Sequence, residues 1–149
     1  MVKVLLDSNI LMDMMNNIEA AYVEMDYYDN CAISSITWME VVVGLDAAAV
    51  LQFEAALVSA DIKVIHTNDA IMRLAAAIRQ TGLGSEPKRN IKLPDAIIGA
   101  TANAEGRTVI TRNPRDFGAN QVRVPYDCQW DATAKTGSVT NVAPAPAHP

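Results

Sequence analysis

The chain has 149 residues and a mass of 16.1 kDa, which corresponds to one domain large enough to bury a core without disulfide bonds. Half of the residues are hydrophobic and 19% are charged, a composition that predicts a folded chain. No apolar run approaches the roughly 18–20 residues of a membrane-spanning helix, and Asp7 interrupts the apolar stretch that a signal peptide requires. We therefore expect a soluble cytoplasmic protein with no membrane partner.

The reactive side chains exclude several kinds of catalytic centre. The two cysteines, Cys31 and Cys128, have no metal-ligand spacing, and His66 and His148 are the only histidines, so a zinc site is not expected. No nucleophile motif accompanies His66, which argues against a Ser-His-Asp or Cys-His centre.

Charge is unevenly distributed along the chain. The net charge is −5, but residues 1–60 carry one base and nine acids, whereas residues 61–149 carry eleven bases and eight acids. An acidic protein is not an obvious nucleic-acid binder, because contacts to phosphate require Lys and Arg. The second half nevertheless allows a local basic surface, and the acid-rich first half is suited to holding cations.

Apolar periodicity and capping residues predict alternating strands and helices up to residue 125. In chain order, we predict a strand over 2–6, a helix capped by Ser8 or Asn9, a helix over 19–28, a strand over 31–34, a helix over 35–45, a helix over 47–60, a strand over 62–65, a helix capped by Thr67, a loop over 82–93, a helix over 94–105, a strand over 107–111, a turn over 113–116 and a strand over 121–124. This alternation predicts the α/β class, with a mostly parallel central sheet flanked by helices in three α/β/α layers.

Apolar periodicity and composition both change near the end of the chain. Periodicity is lost from about Tyr126, and the Pro/Ala-rich segment 141–149 is typical of an unstructured tail. We therefore divide the chain into a domain over 1–125 and a C-terminal extension over 126–149 that we expect to be partly disordered.

Four carboxylates are predicted to lie near the carboxyl ends of the strands, where open α/β sheets bind their ligands. Asp7 follows the first strand directly, Glu40 lies early in the helix after the 31–34 strand, and Asp116 follows the 107–111 strand. Asp95 opens the 94–105 helix. Each acid alone also has a structural interpretation, as an N-cap, a salt-bridge partner, a turn residue or a helix-dipole partner. Their coincidence at one edge is what favours a functional site.

These acids point to a divalent cation. Clustered carboxylates repel one another unless a hard cation neutralises them, and oxygen ligands suit Mg²⁺ or Mn²⁺. One or two such ions can activate water and stabilise a phosphodiester transition state. We therefore expect the carboxyl oxygens of Asp7, Glu40 and Asp95 to converge, with Asp116 close by.

Two other classes of βα protein that handle phosphate fit less well. A phospho-receiver would need a phosphorylatable Asp after a middle strand and a Lys after a later one, but His66 and Arg112 stand at those points. A phosphatase of the haloacid-dehalogenase type would need two acids, two residues apart, after the first strand, and here Asn9 takes the second place.

Four blocks of sequence, in order, carry a family resemblance. They read VLLDSNIL at 4–11, SSITWMEV at 34–41, KLPDAIIGATA at 92–102 and VITRNPRDF at 109–117. Together they resemble the four blocks of PIN-domain ribonucleases, in particular the VapC-type toxins of type II toxin–antitoxin operons. The resemblance spans about residues 2–125.

The resemblance implies a PIN-like fold and a Mg²⁺- or Mn²⁺-dependent endoribonuclease that cleaves single-stranded regions of cellular RNA, such as tRNA or rRNA. It also implies a toxin that forms a homodimer and is inhibited by a cognate VapB-like antitoxin. The family's acidic catalytic and metal-binding positions correspond to Asp7, Glu40, Asp95 and Asp116, and its polar companion positions to Asn9, Thr37 and Asn113. The alternative is a catalytically silent PIN-fold module that binds RNA or protein, although none of the acidic positions is lost.

Basic residues near the predicted site have two interpretations. Arg112 and Arg115 flank the site and are candidate RNA contacts, and for Arg112 charge balance against the acids is the alternative. The loop that carries Lys88, Arg89 and Lys92 has no role in the family pattern. It is either a phosphate-contacting patch or a solvated loop.

Overall fold

A computed structural model describes residues 2–147 of the chain, so His148 and Pro149 of the predicted tail lie outside the described residues. Over residues 2–147 the chain forms seven β-strands, six α-helices and a short 3₁₀ turn. In chain order they are β1 (Lys3–Leu6), α1 (Ser8–Met15), α2 (Glu19–Met25), β2 (Asn30–Ser34), α3 (Ser35–Val42), α4 (Ala47–Ser59), β3 (Lys63–Ile65), α5 (Asp69–Leu83), α6 (Leu93–Glu105), β4 (Thr108–Ile110), the 3₁₀ turn (Pro114–Asp116), β5 (Val122–Arg123), β6 (Asp127–Asp131) and β7 (Thr136–Thr140). Within this part of the chain, no helix is both long and apolar enough to span a bilayer.

Strands β1 to β5 form one parallel sheet in the order β3-β2-β1-β4-β5. Val4, Leu5 and Leu6 of the central strand β1 have no exposed surface, as expected for a parallel strand that is covered on both faces. Because β1 and β4 are paired, the residues that follow them, Asp7 and Thr111, are neighbours at the carboxyl edge of the sheet.

Helices cover both faces of this sheet. On one face, Leu6 packs in a cluster with Ile10 of α1 and Phe53 of α4. On the other face, Leu5 packs with Ile98 of α6, and α5 packs against α6. The predicted three-layer α/β/α arrangement with a parallel central sheet is therefore confirmed.

The helix caps differ from the predicted ones by one residue. Asp7, rather than Ser8 or Asn9, caps α1, and its side chain accepts a hydrogen bond from the Ser8 backbone N–H. Asn68 caps α5, one residue after the predicted Thr67, and Ser34 caps α3 at the residue before the predicted start of that helix. All three cap residues have the extended backbone that an N-cap requires, which sequence alone does not reveal.

The extension after residue 125 contains an antiparallel hairpin of β6 and β7, where no periodicity marks a strand in the sequence. Asp131 shapes the connecting turn by accepting hydrogen bonds from the backbone N–H groups of Thr133 and Ala134. Both strands are largely exposed and polar, which explains the weak sequence signal. Residues 141–147 have no regular secondary structure, yet the Ala143 N–H donates to the Pro125 carbonyl at 2.8 Å.

Candidate active site

Asp7 lies at the centre of the carboxyl edge of the sheet and is only 5% exposed. Its Oδ1 accepts a hydrogen bond from the Ser8 backbone N–H at 2.8 Å. Its Oδ2 accepts from the Asn9 side-chain amide at 3.2 Å and from the Thr111 hydroxyl at 2.7 Å. Burial raises the pKa of Asp7, and the hydrogen bonds from Thr111 and Ser8 oppose part of that rise. The three hydrogen bonds hold the carboxylate in one orientation.

Thr111 belongs to this site although the predicted set of residues omits it. Its buried hydroxyl donates to Asp7 and accepts from the Asn9 amide at 3.1 Å and the Asn113 backbone N–H at 3.0 Å. Asn9 in turn accepts from the Arg112 backbone N–H at 3.2 Å. Asn9 thus contacts Asp7, Thr111 and the Arg112 backbone, and its role as a polar companion stays a prediction. No local sequence signal marks Thr111, because its contact with Asp7 follows from the pairing of β4 with β1.

Glu40 projects from α3 and is half-buried. Within residues 2–147, its buried Oε1 atom has no hydrogen-bond partner, and the same holds for the hydroxyl of Thr37, one turn earlier. Burial raises the pKa of Glu40, the negative charge of Asp7 raises it further, and a hydrogen bond with Ser8 lowers it in part. A buried carboxylate oxygen without a partner is costly, and a cation would satisfy it.

Asp95 and Asp116 complete the set of acids. Asp95 lies in the first turn of α6, which Pro94 helps to begin, and Asp116 ends the 3₁₀ turn after β4. Burial raises the pKa of Asp95 to about 6, and the charge of Asp7, a hydrogen bond with Asp116 and the charges of Asp116 and Glu40 all act in the same direction. We call Asp7, Glu40, Asp95 and Asp116 the acidic site.

The four carboxylates of the acidic site interact electrostatically, because the negative charges of the other three all raise the pKa of Asp95. Within residues 2–147, however, no three His, Cys, Asp or Glu side chains stand close enough together to form a ligand shell for a metal ion. The donor set is made entirely of oxygen atoms, and together with the unpartnered Glu40 Oε1 it fits a hard divalent cation.

The flanking basic residues have different roles. Arg112 binds Asp13 with two hydrogen bonds, of 2.7 Å from Nε and 3.1 Å from Nη2, and the Tyr126 hydroxyl donates to the same carboxylate at 2.8 Å. This geometry favours charge balance rather than RNA contact for Arg112, and its partner is an acid outside the acidic site. Arg115 and Asn113 are exposed and line a cleft next to the site.

Comparisons with known proteins were consistent with this architecture. The family model of the PIN domain matches residues 4–121. A chain from a toxin–antitoxin complex of Klebsiella pneumoniae is 35% identical to this chain, with a TM-score of 0.69, and the match covers 84% of this chain and 99% of that one. No curated protein matches the sequence.

Two VapBC structures share the fold at lower identity. The DNA-bound VapBC from Salmonella typhimurium matches with 23% identity and a TM-score of 0.66, covering 83% of this chain and 98% of that chain. VapBC2 from Rickettsia felis, bound to a promoter DNA fragment, matches with 20% identity and a TM-score of 0.68, covering 82% and 98%. The predicted resemblance is confirmed: the chain belongs to the PIN-domain family and shares its fold with chains of VapBC toxin–antitoxin complexes.

Proposed function

We propose that this protein is a divalent-metal-dependent endoribonuclease that hydrolyses single-stranded regions of cellular RNA, tRNA or rRNA, as the toxin of a toxin–antitoxin pair in the cytoplasm. The observation that carries the proposal is the set of four carboxylates at one sheet edge, where the buried Oε1 of Glu40 has no hydrogen-bond partner among residues 2–147. Membership of the PIN family and the 35% identity to a chain of a toxin–antitoxin complex support it.

The residues that would hold Mg²⁺ or Mn²⁺ are Asp7, Glu40, Asp95 and Asp116. Oxygen-only donors suit these hard ions, and the buried Oε1 of Glu40 has no partner among residues 2–147 that would compete with a cation. When bound, such a cation supplies Lewis-acid activation of water and stabilises the charge that develops in phosphodiester hydrolysis.

Side chains of the protein orient the Asp7 carboxylate and limit which groups can transfer protons. Thr111 and Asn9 fix the carboxylate of Asp7, as their hydrogen bonds to Oδ2 indicate. The only histidine among residues 2–147, His66, belongs to none of the four sequence blocks, so proton transfer falls to water and carboxylates. We therefore expect no covalent enzyme intermediate, and products with 5′-phosphate and 3′-hydroxyl ends, because the attacking oxygen comes from water.

Two protein partners belong to the proposal. A homodimer would bury apolar surface of the early helices, where Met12 and Met15 are 40% and 43% exposed. A VapB-like antitoxin would inhibit the toxin, in line with the toxin–antitoxin complex that contains the similar chain. A specific dimer interface should bury more than about 1,000 Å² in total.

The direct test is cleavage of total RNA by the purified protein in Mn²⁺, with EDTA added in a parallel reaction. Asp7→Asn should lower the rate by orders of magnitude while keeping the fold, because Asn is also a good N-cap. Asp29→Asn is the matched control, since this exposed acid precedes β2 at the opposite edge of the sheet. EDTA should abolish cleavage, and Mg²⁺ or Mn²⁺ should restore it.

Two results would overturn the proposal. Full activity in EDTA, or products with 2′,3′-cyclic phosphate ends, would exclude the metal-dependent mechanism. A folded wild-type protein that binds RNA without cleaving it under any divalent cation would instead identify a catalytically silent binding module.

A further inference from the structure

A basic cleft opens beside the acidic site and has a volume of about 750 Å³. Its lining includes four cations, two amides and one carboxylate: Lys88, Arg89, Lys92, Arg115, Asn90, Asn113 and Asp116. Within residues 2–147, none of these four cations forms a salt bridge, because the two ion pairs of that part of the chain are Arg112–Asp13 and Arg123–Glu24. The lining thus has an excess of positive charge, four cations against one carboxylate, on a protein with a net charge of −5.

The loop that supplies most of these cations is firmly attached to the fold. The Arg89 backbone N–H and the Ser85 hydroxyl donate to the carbonyl of Gly82 at 2.8 and 2.7 Å. The Arg79 Nε donates to the carbonyl of Ile91 at 3.1 Å, and the Ile91 side chain is buried. The backbone is therefore held against α5 while the side chains of Lys88, Arg89 and Lys92 stay exposed. These contacts fix the backbone from which the cations of the loop project.

Arg89 connects this loop to the turn that carries Asp116. A Cβ atom added to Gly118 would lie 3.0 Å from the Nη1 of Arg89, so the guanidinium rests against the backbone just after the 3₁₀ turn. The basic loop and the turn are consequently two walls of one cleft. A ligand in the cleft would meet the cations and Asp116 together.

We propose that Lys88, Arg89, Lys92 and Arg115 form a binding site for the phosphates of the RNA backbone that flank the bond to be cleaved. This inference rests on the proposed ribonuclease function. Unpaired Lys and Arg side chains are the groups that neutralise backbone phosphates, without reading the base sequence. A strand whose scissile phosphate lies at the acidic site places its next phosphates along the wall formed by Lys88 and Arg89. An acidic protein segment is the other ligand that such charge could attract, and the test below separates the two.

The test compares two double variants with the same change in charge. Lys88→Ala with Arg89→Ala removes two cleft cations, whereas Lys63→Ala with Arg73→Ala removes two exposed cations outside the cleft. Binding of a short fluorescein-labelled single-stranded RNA of mixed sequence is followed by anisotropy in EDTA, which prevents cleavage, between about 50 and about 200 mM salt. Each phosphate contact to a single strand contributes about 0.7 to the slope of log K against log salt. We expect the cleft variant to lose about 1.4 from this slope, with weaker binding of every sequence tested, and the control variant to keep the wild-type slope.

The outcomes distinguish this inference from the proposed function. If wild-type protein cleaves RNA but both double variants keep its slope, the cleft does not bind the backbone, and the ribonuclease proposal survives. If folded wild-type protein neither binds nor cleaves RNA, both proposals are wrong. If the cleft variant keeps RNA affinity but loses inhibition by a co-expressed antitoxin, the cleft binds an acidic protein segment instead. Thermal unfolding at the wild-type temperature would confirm that the exposed substitutions leave the fold intact.

Discussion

The hydroxyl of Thr111 donates a 2.7 Å hydrogen bond to the Oδ2 of Asp7, across 104 positions of sequence. The two residues follow β4 and β1, which are neighbouring parallel strands, and both are buried. The pairing of two strands therefore determines the orientation of the most buried carboxylate of the acidic site.

Thr111→Val should lower kcat/KM by about 10- to 100-fold, the usual cost of losing a group that orients a metal ligand. Valine keeps the shape of threonine but cannot donate to Asp7, so the carboxylate would be held by Ser8 and Asn9 alone. Thr111→Ser retains the hydroxyl and should recover most of the activity. Initial rates measured over a Mn²⁺ titration would test both, and equal rates for Thr111→Val and wild type would show that the hydrogen bond has no role in the reaction.

Asp7 and Asp116 could be placed from the strands that they follow, and Asp95 from the helix that it opens. Glu40, expected early in its helix, is instead the sixth of the eight residues of α3. Thr111 could not be placed, since a buried threonine after a strand is common and only the β1–β4 pairing shows what it contacts. The partner of Arg112 was equally hidden: Asp13 lies 99 residues away, and nothing in either local sequence joins them. Long-range pairs of this kind depend on the topology of the sheet.

Ionisation of Asp95 should lower the stability of the metal-free protein as pH rises from about 4 to about 6. Its pKa is raised from 3.8 to about 6 in the folded state, so the folded state binds the proton more tightly than the unfolded state across this interval. The contribution is favourable at low pH and is lost as the carboxyl ionises. Burial raises the pKa of Asp7 and Glu40 as well, so both act with the same sign.

Asp95→Asn should therefore raise the melting temperature of the metal-free protein at neutral pH and flatten its pH dependence, while abolishing cleavage. Melting curves in EDTA across this pH range would test the stability effect. Mg²⁺ should stabilise the wild type more at neutral pH than at about pH 4, because protonated carboxyls are poor ligands. A wild-type melting temperature that rises steadily over the interval, with no effect of the variant, would contradict the assignment.

The ion pair of Asp13 with Arg112 should be important for stability. Asp13→Asn leaves the guanidinium without its counter-charge, and because the Arg112 side chain is only 26% exposed, we expect a loss of about 3 kcal/mol in the free energy of unfolding. Tyr126→Phe removes only the hydrogen bond of the hydroxyl and should cost about 1 kcal/mol. Urea unfolding would measure both, and similar losses for the two variants would show that the charge is not the dominant contribution.

The strands of the C-terminal hairpin could not be predicted from the local pattern of apolar and polar residues. In β6 and β7 the side chains are mostly exposed, so no alternation of apolar and polar residues marks the strands. Its attachment to the domain comes from the Cys128 and Val139 side chains, which pack against the core cluster, and from the donation of the Arg112 Nη1 to the Cys128 carbonyl at 3.4 Å. The central strand β1 is the opposite case, since Val4, Leu5 and Leu6 are all buried and form the apolar run from which it was predicted.

Gly82→Ala should displace the basic loop, whereas Gly84→Ala should not. A Cβ atom at Gly82 would lie 2.7 Å from the carbonyl oxygen of Arg89, a backbone atom that can move only with the loop, but a Cβ at Gly84 would have only ordinary contacts, the nearest at 3.6 Å. We expect Gly82→Ala to lower the free energy of unfolding by about 1–3 kcal/mol, despite the better helix propensity of Ala, and to weaken RNA binding with a reduced salt slope. Gly84→Ala should leave both properties near wild type. Urea unfolding and the anisotropy titration on the same preparations would decide, and wild-type RNA binding by a clearly destabilised Gly82→Ala protein would show that the position of the loop does not matter for the substrate.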